Sequence, residues 1–268
     1  MIYIGTAGIP SITEGDTLQG IQDVKKIGLD AMELEFVRNV YLKKDSAIEV
    51  GKIAKNLGIK LSIHASYFVN LCNPEKVEDS KKRILSSCEI GHYARAKYIV
   101  FHPGYYGKLS KEEAYEFVKK GCEELMEEIN KNKWDVFLGL ETTGKKSQFG
   151  TLDEILKICD EVKGCRPVID FAHIFARQGG EINYSEVLEK VKKFKEIHTH
   201  FSGIEFTDKG EKRHLAISTN QPDFKELGKE LLNKDFGGKD KNIIIICESP
   251  LIEQDSLRMK KIIGDLEK

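Results

Sequence analysis

The chain has 268 residues, with 42 Lys and Arg against 43 Asp and Glu, a formal net charge of −1 and 40% hydrophobic residues. That length suits one large α/β domain, and the balanced charge supplies no global field for a polyanion. No apolar run is long enough to cross a bilayer, and MIYIGTAGIP lacks the charged and apolar regions of a secretory signal, so a cytoplasmic protein with no membrane partner is expected.

Short β-rich runs recur along the chain with amphipathic stretches between them. Strands are predicted at Ile2–Gly5, Ala31–Phe36, Lys60–His64, Tyr98–His102, Val136–Leu140, Pro167–Asp170, Glu196–Phe201 and Asn242–Cys247. After the second, SAIEVGKIAKNLG has helical spacing and stops at Gly58. After the fourth, Ala114, Phe117, Val118, Cys122, Leu125, Met126 and Ile129 fall on one helical face. Ser110 opens that helix with Glu113 three residues on, and Thr151 with Glu154 repeats the capping box. Cys72, Cys88, Cys122, Cys159, Cys165 and Cys247 contain no CxxC pair and read as small buried hydrophobes.

Strands separated by helical crossovers make a parallel sheet. Eight such units predict a single (β/α)8 barrel over residues 1–268, undivided by any linker. A doubly wound open sheet is the rival topology. Its Gly-rich phosphate loop is missing, because the first strand runs into GTAGIP.

A barrel of this kind carries its functional groups at the C-terminal ends of its strands. There the sequence places His64, His102, Glu141, Asp170 with His173, His198 with His200, and Glu248, while His214 follows in the next loop. Six of the seven histidines thus gather at one rim, and His92, inside a helix, reads as a packing residue. His198 and His200 lie two apart on a strand and share a face. Clustered imidazoles and carboxylates need protons or metals to compensate them, and this donor set suits zinc, manganese or iron. At least eight candidate ligands are twice what one tetrahedral zinc takes, so a multinuclear centre is expected. Lys145 and Lys146 stand in the loop after Glu141, and Lys209, Lys212 and Arg213 surround Glu211 after the seventh strand.

Taken in order, HASYFVNL, FHPG, LETT, DFAH, the strand carrying His198, and CESP resemble the endonuclease IV family. These are apurinic/apyrimidinic endonucleases built on a xylose-isomerase-like TIM barrel. The resemblance implies up to three ions, usually zinc, in a DNA-repair hydrolase that cuts the phosphodiester 5′ to an abasic site and leaves a 3′-hydroxyl. It implies that His64, His102 and Glu141 hold one ion. Catalytic Glu141 bridges to a second, held also by Asp170, His198 and Glu248, and His173 with His214 hold a third. The family's aspartate two residues before the last histidine is replaced by Lys212, which leaves Glu211, Asp208 or His200 as candidates for that role. Tyr67 matches a DNA-facing position. Arg38, Lys145, Lys146, Lys212 and Arg213 are the expected DNA contacts of a monomer. Two rival readings remain. One is a single-metal sugar isomerase or epimerase of the same superfamily, using Glu141, Asp170, His198 and Glu248. The other is a non-catalytic, metal-dependent DNA- or phosphate-binding protein.

Overall fold

The structure is a computed structural model that describes residues 1–233, 236 and 241–268. Eight parallel strands close into a barrel: β1 (Ile2–Ala7), β2 (Ala31–Glu35), β3 (Lys60–His64), β4 (Tyr98–Phe101), β5 (Phe137–Glu141), β6 (Cys165–Asp170), β7 (Glu196–Phe201) and β8 (Asn242–Cys247). Each pairs with its sequence neighbour, and β1 closes the ring on β8 with Ile2 opposite Ile243. The eight expected strands are all present, and the open-sheet alternative is excluded by that closure.

Alternation along the strands decides what faces where. The outward set, including Ile63, Ile99, Leu138, Ile169, Ile197 and Ile245, joins one large apolar cluster with the helices. The inward set is split by height. Ala31, Ile244 and Ile246 form one small apolar group, and Tyr98, Val100 and Val168 another. Toward the C-terminal ends the buried side chains become polar: Glu33, Ser62, His64, Glu141, Asp170, His198 and His200.

Local signals set the helix ends. Ser110 caps the helix Lys111–Lys131 and Thr151 caps Leu152–Glu161, each in a reciprocal capping box. Gly58 ends Lys44–Leu57 in the left-handed region. His92 accepts a hydrogen bond from the Asp135 backbone N–H at 3.1 Å, a packing role. All six cysteines are free and buried. No helix among the described residues is long and apolar enough to cross a membrane.

Two additions complete the C-terminal face. Gly104–Tyr105 pairs with Gln148–Phe149, and an antiparallel hairpin of Gly203–Thr207 and Gly210–Leu215 rises after β7. From sequence alone that hairpin reads as loop.

Candidate metal centre

Glu141, the last residue of β5, is the hub. Its Oε2 lies 3.2 Å from His64 Nε2 and 3.0 Å from His102 Nε2, and its Oε1 lies 3.3 Å from His173 Nδ1 and 3.2 Å from His200 Nδ1. The carboxylate is fully buried. Burial opposes its charge, but the imidazoles of His102, His200 and His173 outweigh that and hold its pKa well below the usual range. His64 shows the converse. Burial alone would lower it, and the Glu141 carboxylate raises it to about 10. Burial likewise opposes charge on His173, where Asp170 and Glu141 prevail and push it well upward.

The centre passes the test for a bound cation. Asp170 Oδ2, His102 Nε2 and His173 Nε2 are all buried without a hydrogen-bond partner among the described residues. Uncompensated buried donors and acceptors are rare in folded proteins and are met by an ordered water or an ion, and the donor set here suits a cation. Their neighbours also select the free nitrogens. His64 Nδ1 sits 2.8 Å from the Ala65 carbonyl and His173 Nδ1 sits 3.0 Å from the Thr142 carbonyl. In each case the N–H donates to the carbonyl and Nε2 is left to ligate. Ligand atoms of His64, His102 and Glu141 fall within 4.8 Å of one another, and so do those of Glu141, Asp170, His173 and Glu248.

The strand register separates the two histidines of β7, although ligand atoms of His198, His200 and Glu33 also fall within 4.8 Å of one another. Asp170 of β6 pairs with His200, whereas His198 pairs with Val168, one pleat lower. His200, not His198, therefore stands beside the rim carboxylates, with Nδ1 3.4 Å from Glu248 Oε1. His198 stacks on Tyr98, ring centroids 5.0 Å apart, with Nε2 3.2 Å from Glu33 Oε2. Burial, which outweighs the Glu33 partner, lowers the His198 pKa and favours a neutral ring. His200 is raised well above its ordinary value, because Glu33, Glu248 and Glu141 overcome its burial.

The third group belongs to the hairpin. Glu211 Oε2 lies 3.5 Å from His173 Nε2, and Glu211 Oε1 lies 4.0 Å from His214 Nε2. Residues three apart on a flat strand face opposite ways. Here the ladder pairs Glu205 with Arg213 and Phe206 with Glu211, so Lys212 is an extra residue in a β-bulge. The bulge turns Glu211 and His214 to the same face and supplies the carboxylate that Lys212 cannot. Close approach makes room for it. A Cβ on Gly144 would meet the Glu211 Cβ at 2.5 Å, and one on Gly210, whose φ is +97°, would meet the Gly144 carbonyl oxygen at 2.1 Å. Asp208 is not among the ligand-capable groups of the described residues.

The remaining expected contacts separate. Lys145 and Tyr67 line a cavity of about 280 Å³ together with His64, His102, His173 and Glu248. Tyr67 is 60% exposed and packs edge-on against the His64 ring. Arg38 and Lys146 are exposed. Lys212 and Arg213 are turned away on the outer hairpin face, where Glu205 pairs with both, at 2.5 and 2.6 Å. Sequence reasoning passed over Arg177, whose guanidinium donates to the carbonyls of Thr143, Lys145 and Gln148 and so ties down the loop bearing Lys145. It also passed over Glu33 and Glu35. Two carboxylates alternating along AMELEF are the same inward-facing signal as the two histidines of β7.

Residues 21–262 match the description of the xylose isomerase-like TIM barrels. The chain belongs to that family. An uncharacterized protein of Methanocaldococcus jannaschii is 38% identical over 99% of this chain and 98% of its own. A probable endonuclease 4 of Mycoplasmopsis pulmonis is 30% identical over 77% of this chain and 76% of its own. Among solved structures, a D-tagatose 3-epimerase-like protein superposes with a TM-score of 0.73 at 21% identity, over 98% of this chain and 97% of that one. At that identity the likeness is one of fold.

Proposed function

We propose that this family member is a metal-dependent endonuclease that hydrolyses the DNA phosphodiester 5′ to an abasic site and leaves a 3′-hydroxyl. The observation that carries the reading is the surplus of ligands around Glu141. A one-ion isomerase or epimerase centre would use Glu141, Asp170 and Glu248 with one histidine, either the expected His198 or its strand neighbour His200 beside Glu248. His64 and His102 add a second group on the other oxygen of Glu141, and His173, Glu211 and His214 add a third. The probable endonuclease 4 relatives support the same choice.

When bound, divalent zinc, manganese or iron supplies Lewis acidity to the phosphate and to the water that attacks it. The chain's own residues do the rest. Glu141 holds the first two ligand groups at a fixed separation through its two oxygens. Lys145 brings a cation to the cavity wall, where a phosphate is gripped in a salt-dependent way. Tyr67, Phe68 and Tyr105, each at least 42% exposed, stand beside the cavity as stacking surfaces for an opened strand. An abasic nucleotide has no base to unstack and is cheaper to extrude than an intact one.

The test is incision of a duplex carrying a tetrahydrofuran abasic analogue, with and without chelator, alongside elemental analysis. Metal-dependent cutting 5′ to the lesion with more than one ion per chain is expected. Fully metallated protein that leaves the duplex intact, or that carries one ion and epimerises ketoses, overturns the reading.

A further inference from the structure

The rim histidines are held from behind in two different ways. In His64, His173 and His214 it is Nδ1 that is tied back, to the Ala65 carbonyl at 2.8 Å, the Thr142 carbonyl at 3.0 Å and the Ser202 hydroxyl at 2.8 Å. His200 is the other way round. Its Nδ1 faces Glu141 and Glu248, and its Nε2 points into the barrel interior, 3.0 Å from Glu33 Oε1.

Glu33 lies on β2, across the barrel from β7, and is fully buried. Its other oxygen is already fixed, accepting from the Ser62 hydroxyl at 2.6 Å and lying 3.2 Å from His198 Nε2. Neither Glu33 Oε1 nor His200 Nε2 has an aligned hydrogen-bond partner among the described residues, although they lie 3.0 Å apart. Two buried polar atoms left unmade at that distance need only a small ring rotation to pair.

We infer that Glu33 is the positioning residue for His200: it accepts the Nε2–H, fixes that tautomer, and presents Nδ1 to the metal centre, with Ser62 and His198 holding the carboxylate in place. The inference rests on the reading that the rim holds metal. A carboxylate behind a ligating imidazole both orients the ring and raises its basicity. Among the described residues no backbone carbonyl takes the part at His200, and β2 supplies the acceptor instead.

The experiment uses cobalt(II) and zinc with the full chain. Cobalt affinity and stoichiometry are measured by titration and d–d absorption, and the protonated nitrogen of His200 by long-range ¹H–¹⁵N spectra of the zinc-loaded, histidine-labelled protein. Wild type should show Nε2–H at His200. Glu33→Leu should keep the saturating ion count, weaken one ion about 10- to 100-fold and change the cobalt spectrum. Glu33→Gln, which retains an amide oxygen, should recover part of that loss, and it carries the test if circular dichroism shows the leucine variant unfolded. Unchanged affinity and tautomer in a folded variant overturn the inference alone. So does loss of one whole ion with the others untouched, which would make Glu33 a ligand. Wild-type protein that takes up no metal removes the underlying reading as well.

Discussion

The barrel and the hairpin build candidate ligand groups on opposite terms. Four of the barrel's candidate ligands sit on strands locked by parallel register, so His64, Glu141, Asp170 and His200 are at most 2% exposed and their heights follow from pairing. The hairpin group stands outside the ring, with Glu211 at 14% and His214 at 26% exposure, and it meets His173 only because a bulge shifts the ladder by one residue. A closed ring makes ligand placement a matter of counting. A free hairpin makes it a matter of one local irregularity.

The comparison is tested most severely at its shared hub. Glu141→Gln removes the charge on which His64, His102, His173 and His200 converge. Metal-dependent incision should fall by at least about 100-fold, and bound metal should drop in elemental analysis while circular dichroism stays native. Within the barrel the register separates neighbours. His200→Asn should cost one ion and most activity, whereas His198→Asn should keep the full ion count. Equal losses from the two would break the register argument.

Metal removal probes the same hub through protons. His64 has a folded pKa raised to about 10. The stabilisation from its pair with Glu141 is complete below the unfolded histidine value of about 6.5 and fades as pH rises toward 10. A cation must displace that proton, so metal affinity rises over the same interval and proton release accompanies uptake. Chelation should therefore lower the melting temperature more at pH 9 than at pH 6, by about 5 °C or more when metal exceeds its Kd 100-fold. An equal shift at both pH values contradicts the linkage.

The hairpin should give smaller effects, and one that runs against intuition. Glu211→Gln should weaken a single ion about 10- to 100-fold. Deleting Lys212 should do much less. It removes the bulge and leaves Glu211 two residues before the histidine on a flat ladder, where the two again share a face. Loss of that ion in the deletion variant, read by elemental analysis, would refute the bulge as the source of the geometry.

These differences also explain what the sequence made legible. Period-two alternation and short crossovers placed all eight barrel strands to within about two residues at most ends, because burial on both faces leaves them little freedom. Choosing between His198 and His200 needed the pairing of β6 with β7, which alternation within one strand does not contain. Glu33 needed only the rule already used on β7, applied to β2. The hairpin was illegible for a different reason. GEKRHL is mostly charged and has no apolar face, so its strand state comes from pairing with Gly203–Thr207 and from contact with the Gly144 loop.

The smallest expected effect separates cations that look alike in sequence. Lys145 reaches the cavity wall from a loop that Arg177 holds by three backbone carbonyls, while Lys212 and Arg213 share Glu205 on the outer face of the hairpin. A phosphate gripped by Lys145 releases about one counterion, so Lys145→Ala should reduce the slope of log affinity against log salt by about one. Alanine at both Lys212 and Arg213 removes two cations but frees one anion, and exposed pairs of this kind contribute little. Binding of an uncleaved abasic duplex, followed by fluorescence anisotropy across a salt series, should therefore weaken more for the single Lys145 variant than for the double variant. The reverse order would place the DNA on the outer face of the hairpin and away from the barrel mouth.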